Sequence, residues 1–184
     1  MNQAHYFIGV HTSSEVQKHL SYIQKQTDLL SYYKKLTYEQ DFHLTLLFLG
    51  SFTEEKRSQL WSMLKQEVMT IPSFSLTLSK IGTFGNEQLP RVYWAGVKEN
   101  DTLKRLHKLV EQKANTVGFQ VESRPFQPHI TLAKTLRDKV NQRISTEAPM
   151  KQLSWNVDKI HLYKVRRGQK PMYESVTSIP LLSK

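Results

Sequence analysis

The chain has 184 residues, no cysteine and a formal net charge of +10. That length supports one sizeable core or two small lobes sharing one, and the missing thiols exclude disulfides, thiolate nucleophiles and cysteine-ligated zinc or iron-sulfur centres. With 39% hydrophobic residues, no long apolar run and no basic N-terminal stretch leading into an apolar one, neither a membrane span nor a secretory signal is expected, and the cytoplasm is the expected location.

Residues 5–11 alternate as a strand, and Thr12 with Glu15 reads as a capping box opening a helix that should run to about residue 28 on Val16, Leu20, Ile23 and Thr27. An apolar strand follows at about 42–50. Thr53 then caps a second helix, with Glu54 and Glu55 favourable against its dipole and Leu60, Leu64 and Val68 as its buried stripe, until Pro72 stops it. Phe74 to Lys80 and Arg91 to Val97 read as a strand pair joined by a loop holding Gly82, Gly85, Asn86 and Pro90. A third helix, about 101–117, presents Leu103, Leu106, Val110 and Val117, and Gly118 ends it. A second strand at about 126–134, a short polar helix at 137–145 and closing strands near 153–165 and 172–179 complete the chain. This order suggests an internal duplication and an α+β fold.

Two strings repeat one chemical arrangement: His43-Leu44-Thr45-Leu46 and His129-Ile130-Thr131-Leu132. Successive strand side chains point to opposite faces, so His43 shares a face with Thr45, and His129 with Thr131. Composition alone gives roughly half an H-x-T in a chain of this kind, so one copy says little and two copies of the fuller pattern say much more. Two half-buried strands with His and Thr at a sheet edge would produce the same strings without chemistry. If the strands lie side by side, two imidazoles and two hydroxyls converge as acid-base chemistry on a phosphate ester requires. An imidazole titrating near 6.5 can hold either protonation state at neutral pH. No H-x-x-x-H or H-E-x-x-H spacing is present, and Asp41, two before His43 and the only nearby carboxylate placed to join a metal site, suits a turn or capping role better.

The chain resembles the two-histidine (2H) phosphoesterases, and within them the RNA 2′,3′-cyclic phosphodiesterases once called 2′-5′ RNA ligases. The likeness rests on both motifs, on the opening Tyr6-Phe7-Ile8-Gly9-Val10, on HLTLLFLG, on the segment from Pro90 to Val97, on Arg124-Pro125-Phe126-Gln127-Pro128 and on Arg167-Gly168 followed by Tyr173. It implies a single domain over 1–184, with two pseudo-symmetric lobes, each an antiparallel sheet with helices outside, and an active-site cleft between them. It also implies metal-independent, cofactor-free hydrolysis of RNA or nucleotide 2′,3′-cyclic phosphates to a 2′-phosphate. In that scheme His43 is the acid that protonates the 3′ oxygen, His129 is the base that activates water, and Thr45 and Thr131 bind phosphate oxygens. The spacing alone leaves the acid and base assignment open.

Arg124, five before His129, is a candidate for a phosphate oxygen or equally a loop surface charge, and Phe7 is a candidate for stacking on a base or for core packing. Phe48 falls opposite His43 by strict alternation and reads as core; His107, in LKRLHKLV, reads as solvent-facing, and His5, His11 and His19 have no partner visible in sequence. Residues 1–92 carry 9 basic and 8 acidic side chains against 17 and 8 in residues 93–184, so a polyanion is drawn mainly to the second half. Its densest basic segment, Lys164, Arg166, Arg167 and Lys170, reads either as a loop tracking a phosphate backbone or as a solvated hairpin. The expected partners are RNA with 2′,3′-cyclic phosphate ends or small cyclic nucleotides, with no membrane and no obligate protein partner, the chain being a monomer. A non-catalytic RNA- or nucleotide-binding module is the alternative, and 2′-5′ ligation would be the same reaction in reverse.

Overall fold

In the computed structural model, residues 4–120, 125–138, 140 and 143–183 are described. The alternation of the opening segment gives β1 (Tyr6–His11), with Ile8 and Val10 buried on one side. Helix α1 (Ser14–Gln26) is capped by Ser13, whose hydroxyl accepts from the Val16 N–H at 3.3 Å, and not by Thr12. Thr12 instead donates to the Phe42 carbonyl at 2.9 Å in the interior. The tertiary acceptor outcompetes the local one, and the next hydroxyl takes over the cap.

The helix stops at Gln26, and two unexpected elements follow, a single helical turn α2 (Leu29–Tyr32) and β2 (Tyr33–Leu36). A short 3-10 turn over Glu39–Asp41 leads into the first motif strand, β3 (His43–Gly50). Helix α3 (Glu54–Val68) has the expected Thr53 cap and the expected buried Leu60, Leu64 and Val68.

Strands β4 (Phe74–Gly85) and β5 (Pro90–Val97) form the expected pair, but β4 runs past Lys80 through the stretch read as loop. Gly82 is there because it faces Trp94: a Cβ on it would stand 2.2 Å from the indole, so only glycine lets that ring lie across the strand. Helix α4 (Asp101–Thr116) is capped by Asn100, and Gly118, at φ +82°, ends the segment.

The second motif strand, β6 (His129–Leu136), begins at His129 rather than at 126. The short helix expected over 137–145 falls partly outside the described residues; those that are described there lie in no helix. The segment read as one strand over 153–165 is two, β7 (Ser154–Val157) and β8 (Lys159–Val165), divided at Asp158, before β9 (Tyr173–Pro180).

These strands make two antiparallel sheets, in the orders β3-β1-β8-β9 and β2-β6-β5-β4-β7. Leaving out the edge strand β2, the orders match position by position: motif strand, its partner, an inner strand, an outer strand. The division at Asp158 is where the chain passes from one sheet to the other. Helix α1 packs on β6 and α4 on β3, so each helix covers the sheet opposite the one its preceding strand belongs to, and one continuous buried cluster joins both sheets. The motif strands β3 and β6 approach each other between the sheets. The expected α+β architecture of two antiparallel sheets with helices outside is the one observed. No helix among the described residues is long and apolar enough to cross a membrane.

Candidate active site

Both motif strands carry a bulge at the same place. On β3, Thr45 pairs with Gly9 and Leu47 with Ile8, so Leu46 has no partner; on β6, Thr131 pairs with Trp94 and Ala133 with Tyr93, so Leu132 has none. A bulge inserts one residue and reverses the face of everything after it. Two adjacent apolar residues are therefore buried in each strand, Leu46 with Leu47 and Leu132 with Ala133. Downstream, Phe48 and Lys134 are carried onto the face of the motif histidines. Phe48 is accordingly 53% exposed, edge-on to His5, and is not the core residue that strict alternation implies.

The two imidazoles are held in the same way. His43 Nδ1 lies 2.7 Å from the Asp41 carbonyl, and His129 Nδ1 lies 2.7 Å from the Gln127 carbonyl, each two residues upstream. A carbonyl only accepts, so both Nδ1 atoms carry hydrogen, and in the neutral ring each Nε2 is a lone pair. The Thr45 hydroxyl donates to His43 Nε2 at 3.1 Å.

Distant elements hold the two anchoring carbonyls. The buried Asp41 carboxylate accepts the backbone N–H groups of Met172 and Tyr173, both at 2.9 Å, fastening the start of β9 to the turn before His43. On the other side, Phe126 lies flat on His107 of α4, with ring centroids 3.7 Å apart. His107 is thus not solvent-facing: its side chain is 12% exposed and lies 3.4 Å from Glu111.

Aromatic rings enclose both histidines. Phe7, His43 and Tyr163 form a three-ring cluster, with Phe7 4.5 Å from His43 and 4.8 Å from Tyr163 and those two 5.9 Å apart, while Tyr173 meets the His43 ring edge-on at 4.8 Å. At 2% exposure, and packed against His43, Tyr163 and Tyr173 at once, Phe7 supports His43 in this structure. His129 is flanked by Phe84 at 4.8 Å and Trp94 at 6.0 Å. Arg124 lies outside the described residues.

Burial pushes His43 down to about 4; the Asp41 carbonyl opposes this, and the positive charges of His129, Lys134 and His11 add to it. The two motif histidines, from different sheets, are thus within electrostatic reach of each other, and the charge of the exposed Lys134 reaches His43 as well. Burial also lowers His129, against the Gln127 carbonyl. Lys134 is not legible in the sequence as a site residue, because its place on the face of the histidines depends on the bulge. The signal was present in two consecutive apolar residues after each Thr, where alternation calls for one.

The other histidines have partners. His11 Nε2 lies 3.0 Å from the Gln17 amide, and His19 Nε2 accepts the Lys151 N–H at 2.9 Å. His161 lies on the side of Tyr163 and the first sheet, with Nδ1 2.8 Å from the Ser175 hydroxyl. In the basic segment, Arg166 is paired with Glu174 and Lys164 sits over the Tyr6 ring, which leaves Arg167 and Lys170 as its exposed cations. Among the described residues no group of three or more His, Asp or Glu is placed to hold a metal.

Residues 12–169 match the model of the 2′-5′ RNA ligase superfamily. The chain belongs to that superfamily. It is 32% identical over 179 residues to an RNA 2′,3′-cyclic phosphodiesterase of Bacillus subtilis, covering 96% of each chain. It is also 32% identical over 184 residues to one of Geobacillus stearothermophilus, covering 99% of this chain and 59% of that longer relative. Among solved structures, E. coli LigT complexed with 3′-AMP superposes with a TM-score of 0.83 at 23% identity, over 97% of this chain and 98% of that one. TT0787 of Thermus thermophilus also gives 0.83, at 25% identity, over 98% and 99%.

Proposed function

We propose that the cleft between β3 and β6 hydrolyses RNA or nucleotide 2′,3′-cyclic phosphates to 2′-phosphates, with His43 and His129 as acid and base and no metal. The observation that carries this reading is the matched anchoring of the two rings, each fixed at Nδ1 by a carbonyl two residues upstream and each left with Nε2 for chemistry. The names of the relatives support the cyclic-phosphodiesterase part of it.

In the proposed step His129 Nε2 takes a proton from water as the water oxygen bonds to phosphorus. On the opposite side the bond from phosphorus to the 3′ oxygen breaks, and that oxygen takes the proton of His43 Nε2. The family resemblance supplies this assignment of acid and base. The rings end with protonation states exchanged, and solvent restores them.

Burial keeps His43 neutral in the free protein, so the substrate itself must charge it: an anionic phosphate entering the cleft favours the imidazolium that the neighbouring cations disfavour. Once Nε2 is protonated it no longer accepts from Thr45, whose hydroxyl is released to donate to a non-bridging oxygen. From β6 the Thr131 hydroxyl donates to a second non-bridging oxygen. Lys134 adds a positive charge to the phosphate site, and the exposed ring of Phe48 stacks on the base of the terminal nucleoside.

The test is incubation with a nucleoside 2′,3′-cyclic phosphate in the presence of a chelator, with separation of 2′- and 3′-phosphate products. Formation of the 2′-phosphate is expected. Salt-sensitive binding without turnover would mean a nucleotide-binding module instead.

A further inference from the structure

A pocket lies beside the proposed site, and the proposed reaction does not use it. It has a volume of about 260 Å³ and opens where the chain crosses between sheets, with His11, Trp155, Asn156, Asp158, Lys159 and His161 in its wall. We infer that it receives the nucleotide adjoining the cyclic-phosphate end of an RNA, held mainly through its base. The inference rests on the proposed function, since it takes the reacting phosphate to lie at His43 and His129.

Placement comes first. His11 is the direct strand partner of His43, so the pocket begins one strand away from the phosphate site. Phe48 lies toward the other end, opposite Phe7, four residues back along β1 from His11. At about 3.3 Å per residue that is roughly 13 Å of strand. The ribose of a terminal nucleotide sends its base out from C1′ and continues the chain from C5′. A base stacked on Phe48 therefore leaves the continuing chain to run toward the His11 end, and one nucleoside cannot occupy both places.

The chemistry of the wall favours a base over a phosphate. Lys159 pairs with Asp158 at 3.9 Å, so the pocket carries no net cation to hold a phosphate. Its histidine rings are fixed, His161 by Ser175 and His11 by Gln17, and Trp155 closes the floor by donating its indole N–H to the His11 carbonyl at 3.0 Å. Rigid aromatic rings suit stacking, and the Asn156 amide and Asp158 carboxylate supply the donor and acceptors that read a base edge.

The experiment compares kcat/KM for a nucleoside 2′,3′-cyclic phosphate and for a dinucleotide ending in the same nucleoside, using wild type, Asn156→Ala and Asp158→Ala. Both positions are exposed, which spares the fold. Each variant removes one hydrogen-bonding group and should lose up to about tenfold on the dinucleotide while staying within twofold of wild type on the mononucleotide. Equal loss on both substrates, or loss on neither, overturns the inference. So does a gain with Asp158→Ala, which would put a phosphate in the pocket. If wild type turns over neither substrate, the proposed function fails, and equilibrium binding of a dinucleotide with a 2′-phosphate end reads the pocket independently. Tenfold weaker binding in the variants then supports it, and equal binding overturns it.

Discussion

Replacing Asp41 with alanine removes the acceptor of two backbone N–H groups, those of Met172 and Tyr173, at a residue that is 5% exposed. A buried donor left without a partner costs about 1–3 kcal/mol. Met172 and Tyr173 are only partly buried, so water reaches them in part, and the low end applies to each, or roughly 2–4 kcal/mol together. For a chain of this size that lowers Tm by about 5–15 °C. The Asp41 carbonyl survives the substitution, but Tyr173, whose ring meets His43 edge-on at 4.8 Å, is released. Turnover of a cyclic nucleotide should fall on the order of 10- to 100-fold, as displacements of catalytic groups by about an ångström do. Asp41→Asn keeps one amide oxygen and should lose about half as much stability. Thermal unfolding and steady-state kinetics on the same preparations make the comparison. An Asp41→Ala protein with unchanged Tm and turnover would refute the coupling of β9 to the first motif.

Three further outcomes follow from the same structure. Burial lowers both motif histidines, so kcat/KM, which reports the free protein, should trace a bell centred below pH 6.5, and the kcat profile should sit at higher pH because bound phosphate favours the protonated rings; activity still rising through pH 8 would contradict this. His107 is lowered to about 4, also by burial, so its unfolded form binds the proton first and stability is lost as pH falls from about 6.5 toward 4; the urea midpoint of His107→Phe should drop less over that range than that of wild type. In Gly82→Ala the added methyl must displace the Trp94 indole, costing about 1–3 kcal/mol in urea unfolding and lowering turnover through His129, which Trp94 flanks at 6.0 Å.

Signals local to one element were readable before the fold was known. The Thr53 cap and the stripe Leu60, Leu64 and Val68 belong to one helix, and both H-x-T strings declare themselves by alternation. What escaped depends on partners distant in sequence. Strand β2 is written Tyr33-Lys34-Lys35-Leu36, with no alternation to read, and forms because β6 offers it an edge. Thr12 gave up its cap to a carbonyl thirty residues away. Asp158 carries no mark that the chain changes sheets there. Gly82 looked like a loop residue because the ring it accommodates lies on another strand.

The bulges at Leu46 and Leu132 stand between these cases. A doubled apolar residue was visible, but only the pairings to β1 and β5 show that it turns Phe48 and Lys134 toward the histidines. The anchoring of the rings was likewise beyond sequence, since it runs through backbone carbonyls that any residue would supply.

The most direct measurement is turnover of a nucleoside 2′,3′-cyclic phosphate, with chelator present, by His43→Ala, His129→Ala and the double variant. If the two rings act in one concerted transfer, each single variant loses on the order of 10³-fold or more and the double variant loses little beyond the worse single. Near-normal turnover in either single variant, or losses that multiply in the double, would contradict the account.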